Sequence, residues 1–181
     1  MISGFCQKKR GYFFIMDAMI ALFIVIIGVY LISSSYTNAP QTVQVGLLSD
    51  DLLNFLSNTK IRNLNNQYAG IGGELWNNGL IKDEDNSLLQ QIGEFYSMKN
   101  PEIAENFILN VSQGVIPPQF NYEVWINGEA VFPKTQTAVH LKSKEMSPIM
   151  LASRKITFGV LNATTGEMWG PYKAEVYVWE K

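Results

Sequence analysis

Residues 12–32 read YFFIMDAMIALFIVIIGVYLI, an apolar run interrupted by one charge, Asp17. As a helix rising 1.5 Å per residue this stretch would be roughly 31 Å long, which is the hydrocarbon thickness of a bilayer. A helix packed on one side of a soluble core keeps a polar stripe at helical spacing, and this stretch has none. The sequence therefore predicts a membrane helix and a chain of two unlike parts. A mean hydropathy of +0.02 conceals that division by averaging over it.

The flanks predict the orientation. Lys8, Lys9 and Arg10 stand immediately before the run, and the next basic residue is Lys60. The positive-inside bias then expects a single-pass protein with a cytoplasmic N-terminus and residues 33–181 outside. Three of the 14 basic residues lie in the first eleven positions, so the remainder carries 11 against 16 acidic residues, a formal charge of −5. An acidic exterior of this kind stays soluble and argues against nucleic acid as a partner. Cys6 is the one cysteine and His140 the one histidine, which excludes a disulfide framework and leaves little for a metal site or a histidine triad. No metal and no cofactor are expected.

An ordinary secretory signal has a shorter apolar region that ends in small residues. A lipoprotein signal places its cysteine after the run, whereas Cys6 precedes it. The junction Lys8-Lys9-Arg10-Gly11, followed by Tyr12-Phe13-Phe14-Ile15-Met16-Asp17, resembles instead the leader junction of type IV prepilins, in particular the short class III signal peptides of archaeal pilin-like proteins. The resemblance covers about residues 7–32. It implies that a prepilin peptidase cuts between Gly11 and Tyr12 and that the apolar segment remains as the first helix of the mature subunit. It also implies a role for Asp17, because the family carries an acid near the helix start that lies close to the free amine of a neighbouring subunit. The commonest pattern has Glu as the fifth residue after the cut, whereas Asp17 would be the sixth. The partners implied are copies of the chain or related pilins in a filament, the peptidase, an assembly ATPase with its membrane platform, and membrane lipid.

Physical reasoning also singles out Asp17. A carboxyl group deep in a span costs about 3 kcal/mol, and less near the interface. With the resemblance its presence is read as intersubunit pairing; the alternative is an acid tolerated by snorkelling toward the cytoplasmic interface. Asp17, Ala21, Ile24 and Gly28 share one side of the helix, with Ala18 beside them. Small residues let helices approach closely in lipid, so this side is the expected assembly seam.

The chain is read as a leader over 1–11, the hydrophobic helix over 12–32, a linker over 33–42 broken by Pro40, and an extracellular domain over 43–181. That domain is expected to be helical over 43–118 and β-rich over 119–181. Val45, Leu48, Leu52, Phe55 and Leu56 recur at three and four, predicting a helix over 43–63. Residues 65–79, with Gly70, Gly72 and Gly73, read as a loop. Asp83, Asp85 and Glu94 echo a calcium loop, but Leu88 stands where such a loop needs glycine. The acids are read as caps and dipole-compensating charges at the start of a helix over Leu88, Leu89, Ile92, Phe95 and Tyr96. Asn100-Pro101-Glu102 opens a second helix that reaches Val111.

Period two then takes over. Tyr122, Val124 and Ile126 alternate, Asn127-Gly128 is a tight-turn signal, and Glu129 to Phe132 can pair back. Further strands are expected over 137–142, 155–161 and 172–179, with a turn over 162–166. The fold class is α+β: a long N-terminal hydrophobic helix, a helical segment and a C-terminal antiparallel sheet.

No nucleophile motif or paired carboxylates surround His140, so no catalytic residue is expected and His140 is read as a strand or surface residue. Asn110-Val111-Ser112 and Asn162-Ala163-Thr164 are sequons that permit glycosylation. Trp125, Trp169 and Trp179 are read as core residues. The function expected is a structural one, a pilin-like subunit. The alternative is an uncut, signal-anchored membrane protein that displays an extracellular binding or adhesion domain.

Overall fold

The computed structural model describes residues 8–37, 41–162 and 164–181. They form two compact units, one ending at Gln41 and one running from Thr42 to Lys181. The first contains helix α1 (Lys8–Thr37). It continues through residues 33–37, where a linker is expected. Pro40, the expected break, lies outside the described residues, as does Cys6.

The second unit is α+β, as expected. Its helices are α2 (Gln41–Asn58), the single turn α3 (Glu74–Asn77), α4 (Leu88–Ser97), α5 (Pro101–Ser112) and α6 (Ala138–Met146). Strands β1 (Phe120–Ile126), β2 (Glu129–Phe132), β3 (Met150–Asn162) and β4 (Glu167–Glu180) form one antiparallel sheet in the order β2-β1-β4-β3. Helix α2 stops at Asn58, short of the predicted residue 63, and a 3₁₀ turn (Ile61–Asn63) follows.

The core lies between one sheet face and the helices. Val124, Ile126, Ala174, Val176 and Val178 supply the sheet side; Leu52, Leu56, Leu88, Ile92, Phe95, Phe107 and Ile108 supply the helical side. Phe95 meets Phe107 edge to face at 5.5 Å. Alternation along β1 and β4 places these valines inward, and recurrence at three and four places the helical residues opposite them.

Local chemistry sets the ends. Ser87 accepts the Gln90 amide N–H while the Gln90 side chain accepts the Ser87 N–H, a reciprocal cap that starts α4. Asn127 and Gly128 have φ of 53° and 88°, the left-handed pair that a two-residue hairpin between β1 and β2 requires.

Three expectations are corrected. Residues 137–142 do not form a strand: the Thr137 hydroxyl accepts the His140 N–H at 3.3 Å and caps α6. The acids before α4 do not cap it, since Ser87 does. Asp85 instead lies 2.9 Å from both Lys60 and Arg62; the hydrogen bond from Lys60, then the charges of Arg62 and Lys60, hold its carboxyl below the usual range. The loop over 65–79 contains α3, and Gly70 and Gly73 are glycines because a Cβ there would come within 2.6 and 2.7 Å of backbone oxygens.

Candidate functional site

The described part of α1 contains one segment long and apolar enough to cross a membrane, Phe14–Ser33. None of its side chains is buried; the large apolar ones run from 44% exposed at Met16 to 82% at Phe14. Its hydrophobicity therefore satisfies nothing inside its own unit, and lipid or other helices are the surroundings that would accept it. Asp17 is the only charged residue in this segment. Asp17, Ala21 and Gly28 lie on the uninterrupted helix, and a Cβ built on Gly28 would meet nothing within 4 Å. The face is open to close approach by another helix. Lys8, Lys9, Arg10, Gly11 and Tyr12 belong to the same helix, so the basic cluster and the expected junction are continuous with the apolar segment.

In the second unit the notable polar cluster surrounds Glu123 on the sheet face opposite the core. Its fully buried carboxylate accepts bonds from Trp125 Nε1 at 2.8 Å, Gln136 Nε2 at 2.9 Å and Lys144 Nζ at 2.6 Å, and lies 3.1 Å from His140 Nε2. The Lys144 ammonium also sits 5.4 to 5.7 Å from the ring centres of Trp125, Tyr177 and Trp179. Trp179 donates to Ser143 Oγ at 3.2 Å and meets the His140 ring edge to face at 4.9 Å. Helix α6 thus turns His140, Ser143 and Lys144 toward the sheet and leaves Val139, Leu141 and Met146 exposed. Both Glu123 oxygens are taken, so the cluster fastens α6 to the sheet. His140 serves that fastening, from a helix and not from a strand. The sequence missed it because a glutamate facing out of a sheet reads as solvated.

Further along that face Glu175 lies 2.6 Å from Arg154 Nε and 3.0 Å from Lys173 Nζ. Burial pushes its carboxyl up, but the hydrogen bond and charge of Lys173, with Arg154, outweigh burial and leave it below the ordinary glutamate range. Glu94, in α4, is the opposite case: burial dominates and holds it above that range, although Asn86 Nδ2 donates to it at 3.2 Å. An open cleft of about 570 Å³ lies between β2 and the α4–α5 corner, where the Tyr96 hydroxyl donates to Glu129 at 2.9 Å. Among the described residues no group of three or more His, Cys, Asp or Glu could hold a metal ion.

Trp169 and Trp179 are buried as expected, but Trp125 is half-buried, and Trp125 and Trp179 pack against α6 on the sheet face away from the main core. Asn110 lies on α5 and donates to the Asn106 carbonyl at 2.8 Å. The Asn162 side chain and Ala163, in the second sequon, lie outside what is described. No family model, curated protein or solved structure shows significant similarity to this chain.

Proposed function

We propose that this chain is a structural subunit, pilin or pseudopilin, of a type IV pilus-like surface filament. It is inserted in the membrane with its N-terminus in the cytoplasm, cut after Gly11 and assembled through its hydrophobic helix. What carries the reading is the apolar segment of α1, exposed all round, broken once by Asp17 and preceded by Lys8-Lys9-Arg10-Gly11. Cleavage would create an ammonium group on Tyr12, and a carboxylate six residues into a neighbour's helix is the charge that would answer it. Away from water such a pair is strong enough to set the stagger between subunits. Ala21 and Gly28 keep the same side of the helix narrow. The work assigned to the chain is assembly, not catalysis.

The experiment is Asp17→Ala expressed in the native host. Membrane levels of the chain should be unchanged, while the filament fraction released by shearing falls severalfold. Filaments assembled normally by that variant would overturn the role of Asp17. A chain that is never sheared off the membrane and keeps Lys8 to Arg10 would be a signal-anchored display protein instead.

A further inference from the structure

The register between β1 and β4 ends at the pair Ile126 and Ala174. N-terminal to Ala174 the strand partner of β4 is β3 alone, apart from the Asn127 N–H that donates to the Lys173 carbonyl at 2.7 Å, so residues 156–162 and 167–173 form a two-stranded arm. A ribbon of two strands is marginal by itself in water. One face of this arm is held to α4: Trp169, 4% exposed, lies so close to Gly93 and Gly159 that a Cβ on either would meet its ring at 2.3 or 2.7 Å. The Gln90 side chain also donates to the Phe158 carbonyl at 3.3 Å.

The other face has no cover from the described residues of the unit. Ile156, Phe158 and Val160 follow one another along it on β3, and Met168 is the cross-strand partner of Val160. All four are between 52% and 70% exposed. Strand β3 is also an edge of the sheet. In its first half Arg154 and Lys155 carry charge, paired with Glu175 and bonded to Asn54 and Ser57 of α2, but no charge occurs from Ile156 to Leu161.

We propose that this arm face is a contact between the α+β units of two copies of the chain. Its size favours a copy over a freely diffusing partner. Four side chains exposed this far present roughly 400 Å² of apolar surface, the size of the largest apolar patch on a typical subunit, which is often a functional one. A standard stable interface buries about 800 Å² per partner. A patch of half that size holds little from dilute solution, yet it suffices between chains already concentrated in one membrane or filament, where the second contact becomes effectively intramolecular. That concentration rests on the filament function proposed above, whose apolar helix supplies it.

Crosslinking of the full-length chain in vesicles tests the contact. In a Cys6→Ser background, Val160→Cys is treated with a short bis-maleimide, with Glu102→Cys on the exposed first turn of α5 as control. Covalent dimer from the Val160 site should exceed the control by about tenfold or more, as a contact raised by effective concentration requires. Phe158→Asp should reduce it to the control level with an unchanged thermal melt; Met168→Lys serves if that variant does not fold. Equal crosslinking at the two sites overturns the contact, as do adducts formed only with other proteins. Quenching of a fluorophore at position 160 by lipid-borne spin labels, in vesicles holding one chain each, would assign the face to lipid and overturn it too. Dimers without filaments would leave the contact standing and remove the filament. Normal filaments from chains that never crosslink at Val160 would do the reverse.

Discussion

Helices α1 and α4 are both rich in apolar residues and use them in opposite ways. In α4, Leu88, Leu89, Ile92 and Phe95 sit on one stripe and are buried against the sheet and α5, while the helix opens on a reciprocal Ser87–Gln90 cap. In α1 the large apolar residues between Phe14 and Ile32 are all exposed, with no apolar stripe. The difference shows that apolar content alone does not place a helix in a core. Periodicity does, and its absence marks a helix whose partner lies outside its own unit.

That contrast can be broken by substitution. Phe95→Ala removes a fully buried ring and should cost the second unit about 3–5 kcal/mol. Phe23→Ala in α1 should leave unfolding of that unit within about 0.5 kcal/mol of the parent. Denaturant titration in detergent, followed by tryptophan fluorescence, measures both. A comparable loss from Phe23→Ala would mean that α1 supports the second unit. Gly93→Val comes next: a side chain there must displace Trp169, and overpacking of this kind should cost about 1–3 kcal/mol.

Glu123→Ala should follow at about 1–2 kcal/mol, since it leaves the half-buried Lys144 and the Trp125 and Gln136 donors without their acceptor. Its signature is local. Hydrogen exchange in α6 should quicken while the protection of α4 and α5 is retained, and uniform loss of protection would contradict a fastening role.

The smallest effect has the opposite sign. Burial raises the folded-state pKa of Glu94 above its unfolded value, so stability from this group is fully present below the unfolded pKa and lost as pH rises through the folded one. Glu94→Gln should therefore raise the melting temperature at pH 7 and change it little at pH 3. A lower melting temperature at pH 7 would show that the bond from Asn86 outweighs the burial.

How much was legible follows from the range of each interaction. The α+β class, the helices beginning at Leu88 and Pro101 and the Asn127-Gly128 turn rest on neighbours in sequence and were readable, although the cap of the first was assigned to the acids before it and not to Ser87. Residues 137–142 alternate like a strand, but a cap at Thr137 and a buried acceptor at Glu123 make them helical. That acceptor lies on β1 and is visible only once the sheet exists. The arm was half legible: alternation at Ile156, Phe158 and Val160 predicted a strand, but not that its outward residues would be the apolar ones. Trp169 takes the inward side through Gly93 and Gly159, an approach between distant glycines that local pattern does not encode. For the candidate site the residues of α1 were all nameable from sequence, because the helix takes its character from composition and needs no tertiary partner.

The central claim concerns what happens at Gly11. Mass spectrometry of the N-terminal peptide, on protein taken from its native membrane, tests it directly. The account predicts a mature chain beginning at Tyr12. A chain that still begins at Met1, or one that begins near Ser35, would contradict it.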